Sequence, residues 1–277
     1  MLIKLLKNIK HTGIRIFRES TAPFRKTPDF VIIGVQKGGT TSLFHYLGQH
    51  PDIRLSSKKE VHFFDSSFNK GGLWYKSHFP FLWNKRITGE ASPEYFYFPE
   101  VPKRMKKICP DAKIILLLRN PAERAISHFY HNNKKHKGNR EPIAKYKEAF
   151  ALSSDRIKNR EFDIRDGHKV ISYENWHYSY LEKGDYSTQL ERWLNYFDKD
   201  QILVRASEDF FQDPKPLLKE CYSFLGVKEI YPNDLKPKNV NATRKSSLYD
   251  LDDELINLVK DQIIELKKLG YNFSNWR

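Results

Sequence analysis

The sequence predicts an α/β fold of three layers, a central and mainly parallel β-sheet flanked by helices on both faces. Three observations predict it. Two wholly apolar runs, Phe30-Val-Ile-Ile33 and Ile114-Ile-Leu-Leu-Leu118, lack the alternation of a half-exposed strand and read as strands buried on both faces. Each is followed by a short turn and a helix-period segment, the connection that keeps strands parallel. The first turn carries Lys37-Gly38-Gly39, which makes the fold P-loop-like as well as parallel.

Residues 1–27 read as a basic amphipathic arm and linker, and residues 28–277 as a single domain. In the arm Lys4, Lys7 and Lys10 interrupt the apolar residues, so no run of ~20 apolar residues is present to span a bilayer. The h-region and cleavage site of a signal peptide are also missing. Residues 1–20 suit peripheral contact with an anionic membrane; packing on the chain's own domain is the alternative. Thr21 to Pro28, with two prolines, leads into the first strand.

Strand, glycine loop and helix start together build a phosphate cradle. Glycines let backbone N–H groups approach the anion, and the helix start adds donors and a positive dipole end. An ATP-type loop needs Gly, four residues, Gly, Lys, then Ser or Thr. Here Gly34, Gly39 and Thr41 keep that spacing, but Thr40 stands where the lysine belongs and Lys37 lies inside the loop. The candidate phosphate ligands are therefore Lys37, Gly38, Gly39, Thr40, Thr41 and Ser42, with the helix running to about residue 49.

His50-Pro51-Asp52 ends that helix, and Ser56-Ser57-Lys58-Lys59 is a polar turn. In Glu60-Val61-His62-Phe63-Phe64 an extended backbone would put Glu60 and His62 on one face. A carboxylate and an imidazole together can take a proton from a hydroxyl or amine. Trp74 reads as core. Ile87 to Ala91 reads as a short buried strand, and Ala112 to Leu118 as another with Arg119 at its carboxyl end, where ligands of open parallel sheets sit. Arg119 can fork two hydrogen bonds onto a phosphate, and Ser127 lies about two helical turns on. Residues 129–184 are basic and aromatic (Lys134, Lys135, Lys137 and Arg140, then Trp176, His177, Tyr178 and Tyr180), either a cleft wall or a solvated face. Tyr186, opening the next helix, is placed facing an acceptor. A strand at Gln201–Arg205, a helix at Pro214–Leu225 and a last helix at 252–269 complete the chain.

The chain has 277 residues, enough for one α/β domain with a full core. Its 39% hydrophobic content with 14% aromatics is that of a folded protein, not a disordered one. A formal charge of +14, from 48 Lys and Arg against 34 Asp and Glu, calls for acidic partners. No nucleic-acid-binding module is recognisable, so nucleic acid is not the partner expected. Two cysteines, Cys109 and Cys221, without metal-like spacing, fit a reducing compartment.

Taken together, Val31-Ile-Ile-Gly-Val-Gln-Lys-Gly-Gly-Thr-Thr-Ser42, His50-Pro-Asp-Ile53 and Glu60-Val-His-Phe-Phe-Asp65 resemble the sulfotransferases that use 3′-phosphoadenosine 5′-phosphosulfate (PAPS), in particular the heparan sulfate and other glycan branch. The resemblance covers roughly residues 29–277. It implies that the glycine loop binds the 5′-phosphosulfate, that Glu60 is the base with His62 assisting, and that Lys37 neutralises the leaving phosphate oxygen. It also implies that Arg119 and Ser127 hold the 3′-phosphate. A basic loop closes over the nucleotide in relatives, and Arg244 and Lys245 match it in character. The implied activity is sulfonyl transfer to a hydroxyl or amine of a glycan or glycolipid, with PAP as product and no metal. Two departures stand out: Ala91 replaces a lysine of the heparan branch, and the C-terminal disulfide loop of animal members has no cysteines here. The competing readings are a nucleotide-dependent phosphotransferase or NTPase, and a non-catalytic glycan- or membrane-binding module. The expected location is cytoplasmic, at a membrane face; the Golgi lumen is the alternative if an anchor has been removed.

Overall fold

Buried on both faces, the apolar runs find their hydrogen bonds only in neighbouring strands, and this builds the sheet. The computed structural model describes residues 12–133, 140–158, 162–165, 168–236, 253–274 and 276, with residues 162–165 and 168–170 described by their backbone alone. Five strands, β1 (Phe30–Gly34), β2 (Ile53–Leu55), β3 (Ile87–Ala91), β4 (Lys113–Leu118) and β7 (Ile202–Ala206), form one sheet in the order β2-β3-β1-β4-β7. Every pairing in it is parallel, with Phe30 opposite Gly89 on one side and Lys113 on the other.

Alternate residues of the central strands feed two cores. Val31, Ile33, Ile114, Leu116 and Leu118 face one side, and Phe30, Ile32, Ile115 and Leu117 the other. Helix α1 (Thr40–Leu47), α5 (Ser207–Gln212) and α6 (Pro214–Leu225) cover the second face through Leu43, Phe210, Leu218 and Cys221. The first face is covered by α2 (Val101–Ile108), α3 (Pro121–Asn132), α4 (Tyr186–Leu194) and α7 (Asp253–Lys268), through Met105, Ile126, Trp193 and Val259 among others. Each crossover starts at the carboxyl end of a strand, so the loop after β1, the Glu60 segment after β2 and Arg119 after β4 gather on one edge of the sheet.

Two details differ from the sequence expectation. A two-stranded antiparallel hairpin, β5 (Phe162–Arg165) and β6 (His168–Ile171), interrupts the basic and aromatic region, where no period-two run announces strands. Cys109 caps the end of α2 rather than lying inside a helix, while Cys221 is helical; both are buried free thiols. No described helix is long and apolar enough to cross a membrane.

Candidate active site

The loop after β1 folds back against the carboxyl end of β4. Val35 N donates to Leu117 O at 2.8 Å and Gly38 N to Val35 O at 2.8 Å, so the chain reverses within four residues. A Cβ on Gly38 would stand 2.8 Å from Leu117 O, closer than any side chain fits. Gly39 has φ +92° and faces the Phe211 ring. Lys37 takes the left-handed conformation without being glycine, at φ 74°, a position that L-residues occupy only under constraint. The constraint is visible: Arg119 Nη1 donates to Lys37 O at 3.3 Å and Ser207 Oγ to Gly38 O at 2.8 Å. Helix α1 then starts at Thr40 with no side-chain cap, leaving first-turn amides that no intrahelical carbonyl can reach. Thr40 and Ser42 are buried and Thr41 is half-buried. Ser42 turns toward Tyr46, whose phenol it meets.

Arg119 leaves the end of β4 almost buried, at 8% exposure. Its Nη2 and Nε donate to Glu123 Oε2 at 2.8 and 3.3 Å, and its guanidinium lies 5.7 Å from the Phe211 ring centre. Asn120 starts α3 by accepting from the amides of Ala122 and Glu123, and Pro121 fits the first helical position. Ser127 is buried further along α3, beside the buried Arg124 and His128. Arg124 donates to Tyr180 O, while its Nε and Nη1 have no hydrogen-bond partner among the described residues. Burial, followed by the charges of Lys183, Arg124, His131 and Lys37, drives His128 well below the usual histidine range and keeps it neutral. Tyr186, expected to face an acceptor, is instead 1% exposed, and its hydroxyl donates to Arg119 O at 2.8 Å. It fixes the arginine from beneath.

The Glu60 segment is not a continuous extended strand. His62 is left-handed, at φ 55°, and caps a four-residue helix, Phe63–Ser66. The two groups meet all the same: His62 Nε2 lies 2.9 Å from Glu60 Oε2, and Nδ1 lies 2.8 Å from Asp65 Oδ2. Burial alone would lower the histidine, but hydrogen bonds to Asp65 and Glu60 outweigh it and raise its pKa to about 10. The ring is an imidazolium between two carboxylates. Burial would likewise raise Glu60, yet the His62 hydrogen bond and the Lys59 charge bring it below the ordinary glutamate value. Lys59 Nζ is 3.4 Å from Glu60 Oε1 and 6.0 Å from the Phe44 ring of α1, which ties the carboxylate to the loop helix.

A buried polar layer supports this segment. His62 N donates to Ser92 Oγ at 3.2 Å and Phe63 N to Tyr95 OH at 2.8 Å. Ser92, Tyr95 and Tyr75 all donate onto Glu90, at 2.9, 3.2 and 2.6 Å; burial raises this carboxyl to about 7 against the pull of those bonds. Deeper still, Lys183 Nζ lies 2.7 Å from Glu94 Oε2 and donates to Trp176 O, and the Trp176 ring stands 5.2 Å from His62. Lys37 and Lys183 both act on His128, and Glu60 and His62 both act on Glu94, so the loop and the carboxylate share one electrostatic neighbourhood.

Sequence reasoning missed Asp65, Lys59 and the Glu94–Lys183 pair. Asp65 follows His62 by three residues, one helical turn, a signal hidden by reading the stretch as extended. Lys59 was absorbed into a polar turn. Glu94 and Lys183 are far apart in sequence, and no local pattern joins them. Arg244 and Lys245 lie outside the described residues, as do Lys134, Lys135 and Lys137.

A parallel sheet with a glycine loop after its first strand and an arginine after its fourth defines a nucleotide-type α/β protein. The comparisons with known proteins are more specific, and the chain belongs to the sulfotransferase family: a sulfotransferase domain model matches residues 27–251. It is 30% identical to the membrane-associated sulfotransferase kil1 of Dictyostelium discoideum, over 90% of this chain and 66% of that one. It is 34% identical to mouse heparan sulfate glucosamine 3-O-sulfotransferase 3B1, over 76% of this chain and 49% of that one. The chain thus spans about half to two thirds of the length of these relatives. Among solved structures, a sulfotransferase from Alicyclobacillus acidocaldarius superposes with TM-score 0.72 at 30% identity, covering 91% of this chain and 99% of that one.

Proposed function

We propose that the chain moves a sulfonyl group from PAPS to a hydroxyl or amine of a carbohydrate or glycolipid. One observation carries the reading: a carboxylate held ionised by His62 and Lys59 lies at the same carboxyl edge of the sheet as a glycine loop that carries a lysine and uncapped first-turn amides. The donor's chemistry fits the loop, because Gly38 and Gly39 let its backbone pack tightly against Leu117 O and the Phe211 ring, where a Cβ would clash, and α1 starts there without a side-chain cap. The glycan acceptor is inferred from the heparan sulfate glucosamine named for the mouse relative.

In this reading the loop amides of Lys37 to Thr41 and the Thr40 and Thr41 hydroxyls hold the 5′-phosphosulfate. Arg119 and Ser127 take the 3′-phosphate, with Arg244 and Lys245 adding charge from the C-terminal segment. Glu60 accepts the proton of the acceptor hydroxyl or amine as that oxygen or nitrogen bonds to sulfur. The bond from sulfur to the bridging phosphate oxygen breaks, and Lys37 balances the charge released onto that oxygen. His62, clamped by Asp65, fixes Glu60 in place. The lysine and helix dipole take the part that magnesium plays in phosphoryl transfer. An NTPase reading is disfavoured by Thr40, which stands where such a loop places its lysine. The buried free thiols Cys109 and Cys221 suit a reducing compartment, and we place the protein in the cytoplasm.

Calorimetric titration with 3′-phosphoadenosine 5′-phosphate (PAP) and with ATP, in EDTA and again with added magnesium, tests the reading on wild type and Arg119→Ala. PAP binds and ATP does not; the variant loses roughly ten- to a hundredfold in PAP affinity, the worth of one charge-assisted contact. ATP binding that requires magnesium, or equal PAP binding by the variant, refutes it.

A further inference from the structure

We infer that the protein carries a membrane-docking face, remote from the proposed catalytic edge, that recognises an anionic lipid bilayer. Residues 12–20 are helical, and this stretch packs against a second segment, residues 79–86. The Phe17 and Phe81 rings meet at 6.4 Å, Phe81 stacks on Trp83 at 4.3 Å and 7°, and the Arg25 guanidinium lies 4.1 Å from the Phe81 ring centre. Lys26 N donates to Pro80 O, Leu82 N to Phe24 O, and Arg18 Nη1 to Ser77 O. The two segments are one surface.

That surface holds an unusual share of exposed apolar side chains. Ile14, Ile16, Phe17, Phe24, Leu82 and Trp83 are 46 to 71% exposed, and they are six of the fourteen large hydrophobic residues exposed among the described residues. Scattered singly, such residues need no explanation; gathered into one patch, they mark an interaction surface. The charge around them selects the partner. Residues 12–26 and 81–86 contain six basic side chains against one acid, Glu19. Arg25 is buried beneath the rings and Lys26 is paired with Asp29, so Arg15, Arg18, Lys85 and Arg86 are the ones that face a partner. A groove of about 930 Å³ between the helix and edge strand β2 adds Arg54 and His78 to its lining. Burial above all, and then the charges of Lys58, Arg18 and Lys70, push His78 down to about 4. A second copy of the chain would set this cationic ring against itself. An anionic bilayer matches both parts: apolar side chains and Trp83 enter the headgroup boundary while the arginines and lysines meet lipid phosphates and carboxylates.

The orientation follows from topology. Thr27 to Asp29 and Lys85 to Arg86 lie just before the amino ends of β1 and β3, whereas Lys37, Glu60 and Arg119 follow carboxyl ends. Docking through Leu82 and Trp83 therefore leaves the catalytic edge turned away from the lipid.

The test sediments the full chain with vesicles of phosphatidylcholine alone and of phosphatidylcholine with phosphatidylserine. Leu82→Ser/Trp83→Ser and Arg15→Glu/Lys85→Glu serve as variants at exposed positions, with PAP affinity as the check on folding. Wild type binds the phosphatidylserine vesicles, each double variant loses about tenfold or more in vesicle affinity, and PAP binding is unchanged. The inference is overturned by no vesicle binding, by equal binding to phosphatidylcholine alone, or by full binding of Leu82→Ser/Trp83→Ser. It is equally overturned if soluble glycerophosphoserine competes as well as vesicles do, which makes the groove a small-anion site, or if wild type is a dimer that these substitutions dissociate.

Discussion

His62 donates from both ring nitrogens, and this sets the protonation state of the groups around it. Glu60 and Asp65 each gain a charged donor, while the imidazolium gains two acceptors, so its folded pKa of about 10 exceeds the unfolded 6.5. The folded state thus holds a proton that the unfolded chain releases. The stabilisation is complete below pH 6.5 and is lost as pH rises through about 10. Wild type should show a melting temperature that falls across that window. His62→Gln, whose amide keeps N–H donors but carries no charge and does not titrate, should start lower and lack the decline; parallel pH profiles would disprove the clamp. Glu60 and His62 were legible because their residue types and spacing advertise proton transfer. Asp65 was not, since the left-handed turn at His62, which brings the aspartate round, has no signature in a Glu-x-His-Phe-Phe string. The other left-handed residue that is not glycine among the described residues is Lys37, so the two such positions fall on two candidate catalytic residues.

At the scale of elements, the loop and its neighbours behave as one fitted unit. Gly38 sits against the carbonyl of Leu117, a backbone atom of a central strand that cannot move aside. Gly38→Ala should therefore displace the loop rather than β4, lowering PAP affinity at least ~tenfold, about 1.4 kcal/mol, with only a small drop in melting temperature. Unchanged PAP affinity would mean that the loop is not the cradle. The strands themselves were readable, because an apolar run between turn residues has few other uses in a chain this charged. The hairpin β5–β6 was not, lying in a basic and aromatic stretch whose periodicity is masked. Tyr186 shows a second limit. An aromatic at a helix start reads equally as a wall or a prop, and only the fold reveals that it holds the Arg119 carbonyl.

For the whole molecule, composition reported the class and the charge, but not the strand order. Nothing local places β3 between β2 and β1, or sends β7 to the far edge. The same long-range arrangement decides what the charge of +14 does. Basic residues gather on the proposed docking face and in the groove beside β2, while much of the charge at the proposed catalytic centre is paired: Lys59 with Glu60, Arg119 with Glu123, Lys183 with Glu94. Exposed charges act over the screening distance, about 10 Å at 0.1 M salt, whereas buried pairs are shielded from it. The two substrates should therefore respond differently to ionic strength. With a carboxylated or sulfated glycan as acceptor, added potassium chloride should raise its KM severalfold while kcat and the KM for PAPS change little. A neutral glycan should show no such rise. If the PAPS KM climbs in step with that of the acceptor, the nucleotide is captured by the open surface field rather than by a pre-formed cradle. The loop geometry would then be secondary to overall charge in binding the donor.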